Sequence, residues 1–245
     1  MTPPLSPLLF LHGVGGGHHA WEDQVPYFGG LGYPSHAWDQ PGYGKSAIVE
    51  PYDLEQVSAA LARLIGSLGG EPVVLIGHSM GGLIAQETYV RHPQLVKAMA
   101  LCFTSPAFAG GSSDFTKQFL AARIGPLDQG RSMAEIAAKL IPTMGSHSKL
   151  AEQIMAGVPP DTYRKAVQLL TTFDRRKELP DIKVPALLVA GSEDKVAPPS
   201  VMEKMASKIP GAEYALMPEC GHLGPMDRPD AFNAILLGFL KRHGL

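Results

Sequence analysis

The chain has 245 residues, with 45% apolar and 18% charged, the balance of an ordinary globular protein able to bury a sizeable core. Lys and Arg number 21 against 23 Asp and Glu, a formal charge of −2, so nothing offers a basic footprint for nucleic acid. Two cysteines, Cys102 and Cys220, are too few for a disulfide framework. No run approaches the roughly 18–20 apolar residues needed to span a bilayer, and the first residues lack a secretory signal. A cytoplasmic location is expected.

In chain order, Leu8-Leu9-Phe10-Leu11 reads as a buried strand that ends at His12-Gly13 and runs into the loop Val14-Gly15-Gly16-Gly17. Ser35–Trp38 is a weaker second strand. Asp53 and Gln56 form a capping pair that opens a helix to about Leu68, with Leu54, Val57, Leu61, Leu64 and Ile65 on its apolar side. Val73–Ile76 is a third strand, followed by Gly77-His78-Ser79-Met80-Gly81 and a helix from Gly82 that stops before Pro93. Lys97–Phe103 is the fourth strand, Ala186–Ala190 the fifth and Glu213–Met217 the sixth. Met202, Met205, Ala206 and Ile209 mark a further helix. Phe232, Ile235, Leu236, Phe239 and Leu240 mark the last, from about Asp230.

Strands alternating with helices imply an α/β fold, a mostly parallel, doubly wound sheet of about six strands covered on both faces. Residues 105–184 break that rhythm. Their periodic pieces (Phe115–Ile124, Met133–Leu140, Lys149–Met155 and Asp161–Phe173) are helical and separated by Gly, Pro and Ser. They are read as a helical cap inserted into a core of residues 1–104 and 185–245. Such a cap either shapes a pocket over the strand ends or is a packing insert with no substrate role.

Gly-x-Ser-x-Gly between a strand and a helix is the sharp turn that lifts a serine hydroxyl above a sheet. A serine hydroxyl is a weak nucleophile at pH 7, so it needs a base that is itself oriented by a carboxylate. Downstream, Asp194 follows the fifth strand and His222 the sixth, both at carboxyl ends on the same edge as Ser79, where ligands bind in open parallel sheets. Ser79, His222 and Asp194 are therefore the candidate catalytic residues, with Glu193 a weaker rival acid. The N–H groups of Met80 and Val14 are candidate oxyanion donors. Phe103, Phe108, Phe119, Met144, Val196 and Leu223 are candidates for an apolar substrate pocket. His18-His19 could rim that pocket. With no carboxylate cluster beside them, no metal site is read there.

His12-Gly13, Asp39-Gln40-Pro41-Gly42-Tyr43-Gly44-Lys45-Ser46, Gly77-His78-Ser79-Met80-Gly81-Gly82, Asp194 and Cys220-Gly221-His222 resemble the α/β-hydrolase superfamily over nearly the whole chain. Within it, the chain resembles the small capped carboxylesterases and enol-lactone hydrolases. The resemblance implies a Ser79–His222–Asp194 triad, no cofactor, and a small-molecule ester or lactone as substrate. Asp39 would be structural, holding the Pro41-Gly42 turn. Most members carry two strands ahead of the one at Leu8, so the expected sheet is trimmed to six strands or truncated at its start. Serine in place of aspartate at position 79 argues against dehalogenase and epoxide hydrolase chemistry. Leu223 stands where carbon–carbon hydrolases of ring-fission products often have tryptophan. A carbon–carbon hydrolase or lyase on the same triad, and a ligand receptor with vestigial hydrolysis, are the alternatives.

Overall fold

In β1 (Leu8–Leu11) all four side chains are buried, Leu8 and Phe10 toward one face of the sheet, Leu9 and Leu11 toward the other. That alternation is the pleat of a strand covered on both sides, and it recurs through the sheet of this computed structural model, which describes residues 4–108 and 113–245. After β1, a 3-10 turn (His18–Trp21) and α1 (Gln24–Gly30) lead to β2 (Ser35–Trp38). Next come α2 (Leu54–Ser67), β3 (Val73–His78), α3 (Met80–Arg91) and β4 (Val96–Cys102). Between β4 and β5 (Ala186–Gly191) lie α4 (Ser113–Asp128), α5 (Met133–Thr143), α6 (Lys149–Ala156) and α7 (Pro160–Leu170). The chain closes with α8 (Pro199–Ala206), β6 (Glu213–Met217), α9 (Gly224–Asp227) and α10 (Pro229–Arg242).

The six strands pair in parallel in the order β2-β1-β3-β4-β5-β6. This is the six-stranded α/β-hydrolase sheet expected from the strand–helix alternation. α2, α3 and α8 cover one face, with Val57, Leu61, Ile84 and Met202 against Leu9, Leu75 and Met99. α1 and α10 cover the other, with Phe28, Phe232 and Phe239 against Phe10, Ile76 and Val189.

The chain order reverses across β1, so the carboxyl ends of β1 and β3 diverge into loops on opposite sides and leave a crevice between them. The strand bounds fall within a residue or two of the sequence reading. Phe103 is the notable difference: it lies past β4, with φ +49°, where it turns the chain over the sheet edge. α1, the 3-10 turn and α9 gave no apolar period long enough to read.

α4–α7 form a cap-like region above the strand ends. The chain leaves and re-enters the sheet layer at a neck, where the Phe108 N–H donates to the Phe173 carbonyl (2.8 Å) and the Arg175 N–H to that of Pro106 (2.8 Å). Arg175 also anchors this neck to α3, donating to both oxygens of the fully buried Glu87 carboxylate at 2.8 and 2.9 Å.

Candidate active site

Ser79 sits between β3 and α3 with φ 52° and ψ −117°, a conformation that a non-glycine residue keeps only when its surroundings hold it there. The flanking glycines explain how. A Cβ at Gly77 would come within 2.5 Å of the Gly81 carbonyl oxygen, and one at Gly81 within 2.1 Å of that of Leu11. The strand, the turn and the helix pass too close for any side chain at either position.

His222 Nε2 lies 3.0 Å from Ser79 Oγ, and His222 Nδ1 lies 2.8 Å from Asp194 Oδ2. A carboxylate accepts, so Nδ1 carries the proton and Nε2 is free to accept from the serine hydroxyl. The other Asp194 oxygen accepts from the Val196 and Ala197 N–H groups at 2.7 and 3.0 Å. That fixes the carboxylate plane. The His222 and Asp194 side chains are 3% and 0% exposed. Away from water, the hydrogen bond between them is weakly screened. Glu193, the rival acid, makes no such contact: its N–H donates to the Cys220 carbonyl, which ties the Asp194 loop to the His222 loop.

The Val14 and Met80 N–H groups have no intramolecular acceptor among the described residues. Their directions are set indirectly. A trans peptide points its N–H opposite to its C=O, and both relevant carbonyls are held by more than one donor. Gly13 C=O accepts from the Gly16 N–H (2.9 Å) and His12 Nδ1–H (2.8 Å). Ser79 C=O accepts from the Gly82 N–H (2.9 Å) and the Thr104 hydroxyl (2.8 Å). His12 is locked in turn by the Gln40 N–H on its Nε2 and by the Gln40 amide on its carbonyl, at 3.2 and 2.6 Å. Burial holds the His12 pKa down to about 4, which keeps the ring neutral and its accepting nitrogen available. The Tyr43 hydroxyl takes the Val14 carbonyl at 2.6 Å. His12, Gln40, Tyr43 and Thr104 were not singled out as site residues. His12 and the Asp39–Ser46 motif are visible in the sequence, but nothing local says what they bond.

Two cavities meet at Ser79 and His222. One lies on the Val14 side and is lined by Met144, Leu223, Leu140 and Met155. The other, the roomier, lies on the Met80 side and is lined by Phe103, Phe108, Phe119, Leu170 and Val196. The six pocket candidates therefore line cavities that open at Ser79, in two separate groups. Phe103 stands edge-on to the His222 ring, centroids 6.4 Å apart.

The basic side chains of the α4–α7 region, Lys117, Arg123, Lys139, Arg164 and Lys165, which could have held a polar substrate group, are absent from both linings among the described residues. Arg164 and Lys165 pair with Asp128 and Glu50, and Arg123 lies over the Phe119 ring.

His18 is tied by its N–H and Nδ1 to the Asp39 carboxylate, both at 2.8 Å. Asp39 thus holds the 3-10 turn rather than the Pro41-Gly42 turn. The latter is closed by backbone bonds and by the Ser46 hydroxyl on the Asp39 carbonyl. Cys220 is buried in the α10 core, and burial pushes its thiol up to about 11, away from any nucleophilic role.

No helix among the described residues is long and apolar enough to cross a membrane. A family model described as the alpha/beta hydrolase family matches residues 8–235. A pimeloyl-(acyl-carrier protein) methyl ester esterase of Neisseria meningitidis is 26% identical, the match covering 98% of this chain and 96% of that protein. The crystal structure of an enol-lactonase from Burkholderia xenovorans is 26% identical with a TM-score of 0.82, covering 96% of this chain and 92% of that one. A bromoperoxidase structure from Bacillus anthracis, at 22% identity and a TM-score of 0.84 over 97% of this chain and 92% of its own, shares the fold. With the family model spanning nearly the whole sheet and the strand-end residues described above, the chain belongs to the alpha/beta hydrolase family.

Proposed function

We propose that the protein hydrolyses carboxylic esters, lactones included, of small to medium apolar molecules through an acyl-enzyme on Ser79. The observation that carries this reading is the continuous Ser79–His222–Asp194 hydrogen-bond chain, 3.0 and 2.8 Å, at the mouth of two apolar cavities. His222 takes the Ser79 proton as the oxygen adds to the carbonyl carbon. Asp194 steadies the imidazolium that forms, and the Val14 and Met80 N–H groups receive the oxyanion. Collapse breaks the carbon–oxygen bond to the alcohol, which leaves with the proton from His222. Water then repeats the sequence on the acyl-enzyme: His222 takes one proton from it and returns that proton to Ser79.

The apolar cavity walls favour esters over carbon–carbon cleavage or lyase chemistry, which needs polar groups above the serine to hold a ketone or cyanide. The two groups of lining residues suit a substrate with apolar parts on both sides of the ester. Two buried free thiols fit a reducing compartment such as the cytoplasm. The test is hydrolysis of p-nitrophenyl esters from acetate to dodecanoate by wild type and Ser79→Ala. Turnover that is absent from the variant supports the reading. Equal turnover in both, or none from folded wild type on esters and lactones alike, overturns it.

A further inference from the structure

β3 and β6 are separated by two strands, so at the usual spacing their axes lie about 14 Å apart. Ser79 leaves the end of β3, yet His222, which must sit 3.0 Å from its Oγ, belongs to the loop after β6. That loop has to reach back over β5 and β4 and hold its end there. Two hydrogen bonds secure that end, one on each side of the His222 main chain. The His222 N–H donates to the Met144 carbonyl at the end of α5, 2.8 Å away. Its carbonyl accepts from His78 Nε2–H at 2.7 Å. Approach on the α5 side is close enough that a Cβ on Gly221 would lie 2.5 Å from the Met144 oxygen.

We propose that His78 is a positioning residue for His222: from the last position of β3, beside the nucleophile, it holds the base's main chain in place while the Met144 carbonyl holds the opposite side. This rests on the reading of His222 as the base of an ester hydrolase. One strand end then sets both partners of the proton transfer. Ser79 is carried directly, and His222 is drawn to it through the residue before Ser79.

The bonding requires a particular state of His78. A carbonyl oxygen only accepts, so the bonded Nε2 carries the proton. Burial, with His222 nearby, holds the pKa down to about 3, so the ring adds no charge beside the imidazolium that His222 becomes. The two rings are 5.1 Å apart, and the Trp21 and Phe103 rings pack around His78 with centroids 6.4 and 5.8 Å away.

The test compares His78→Gln, which keeps an N–H donor of similar reach, with His78→Leu, which removes it, and His78→Asn, whose donor is too short. The readouts are kcat and KM on the preferred p-nitrophenyl ester, thermal midpoint, and the downfield proton resonance of the His222–Asp194 hydrogen bond. Leu and Asn should lose roughly tenfold in kcat with little change in KM, and should broaden or shift that resonance. Gln should restore most of both. Leu and Asn variants with wild-type kcat and resonance overturn the proposal. So does a folded Gln variant as impaired as Leu. If Leu does not fold, the Gln–Asn pair makes the same comparison. The resonance separates this proposal from the proposed activity: it reports His222 placement even if Ser79→Ala shows that the chemistry is not serine hydrolysis.

Discussion

At the sheet edge, the groups around Ser79 are held by main-chain geometry: the strained elbow, the Asp194 carboxylate bonded to two N–H groups, and the two peptides whose carbonyls each take two or more donors. α4–α7 contribute differently. Their share of the cavities is side chains such as Phe119, Leu170, Leu140 and Met155 on helices whose own hydrogen bonds are internal. Links do reach the core from the Met144 carbonyl at the end of α5 and from the Thr162 hydroxyl of α7, which donates to the Gly42 carbonyl at 3.0 Å. The contrast separates two jobs. Reacting atoms must be placed to a few tenths of an ångström, which backbone networks on a rigid sheet can do. An apolar ligand needs only complementary volume, which side chains can supply and vary without disturbing the sheet.

The sharpest way to break that comparison is at the edge itself. Ser79→Ala should abolish turnover, and Asp194→Asn should cost about 10⁴ in kcat, as for the serine-protease carboxylate. Both should unfold at wild-type temperatures to within a few degrees, checked by calorimetry beside the esterase assay. Near-wild-type rates in either variant would remove the division of labour altogether.

Acid stability comes next. His12 and His78 are buried with pKa values near 4 and 3, below the ordinary 6.5. The unfolded chain therefore binds protons at these positions that the folded chain refuses. Stability should be full above about pH 7 and fall as pH drops from 6.5 toward 4, by several kcal/mol at most. Urea midpoints at pH 7.5 and 5 measure it, and a folded His78→Gln should show a shallower fall. A midpoint independent of pH over that range would contradict the buried neutral state.

The neck tests the joint between the two regions. Arg175→Ala leaves the Glu87 carboxylate with Arg91 as its partner and frees one side of the neck. It should cost about 1–3 kcal/mol in urea unfolding, with kcat changed less than KM. Thr104→Val removes the hydroxyl that holds the Ser79 carbonyl and hence aims the Met80 N–H. It should lower kcat roughly three- to tenfold at unchanged KM. Smallest in rate, Phe119→Ala enlarges the aromatic cavity and should move the ester chain-length optimum upward with kcat within a few fold. If Phe119→Ala harmed kcat more than Thr104→Val, the assignment of precision to the edge and volume to the cap would be reversed.

The legible part of this protein was local. The four inner strands announced themselves as apolar runs because both faces of the parallel sheet bury them, while the partly exposed edge strands β2 and β6 carry a weaker signal. The elbow announced itself because its motif is contiguous, although only Gly77 is demanded by a neighbour in sequence, Gly81, which is itself demanded by Leu11 on the adjacent strand. The chain order serine, aspartate, histidine could be read because each follows its own strand and so falls on the same edge. What a periodicity cannot carry is a partner distant in sequence. That His12 locks to Gln40, that Thr104 holds the Ser79 carbonyl, that Asp39 serves His18 rather than its own turn, and that His78 and Met144 grip His222 from two sides are all pairings across 21 to 144 positions. The pocket residues show the same limit. Phe119 and Met144 could be named as apolar, but their division between two cavities depends on how four helices lie above the sheet. The sequence alone determined the strands, the turns and the chemistry available at each strand end, because neighbouring residues decide those. The tertiary structure decided which N–H, carbonyl and ring face one another, because those alignments exist only once distant segments are packed together.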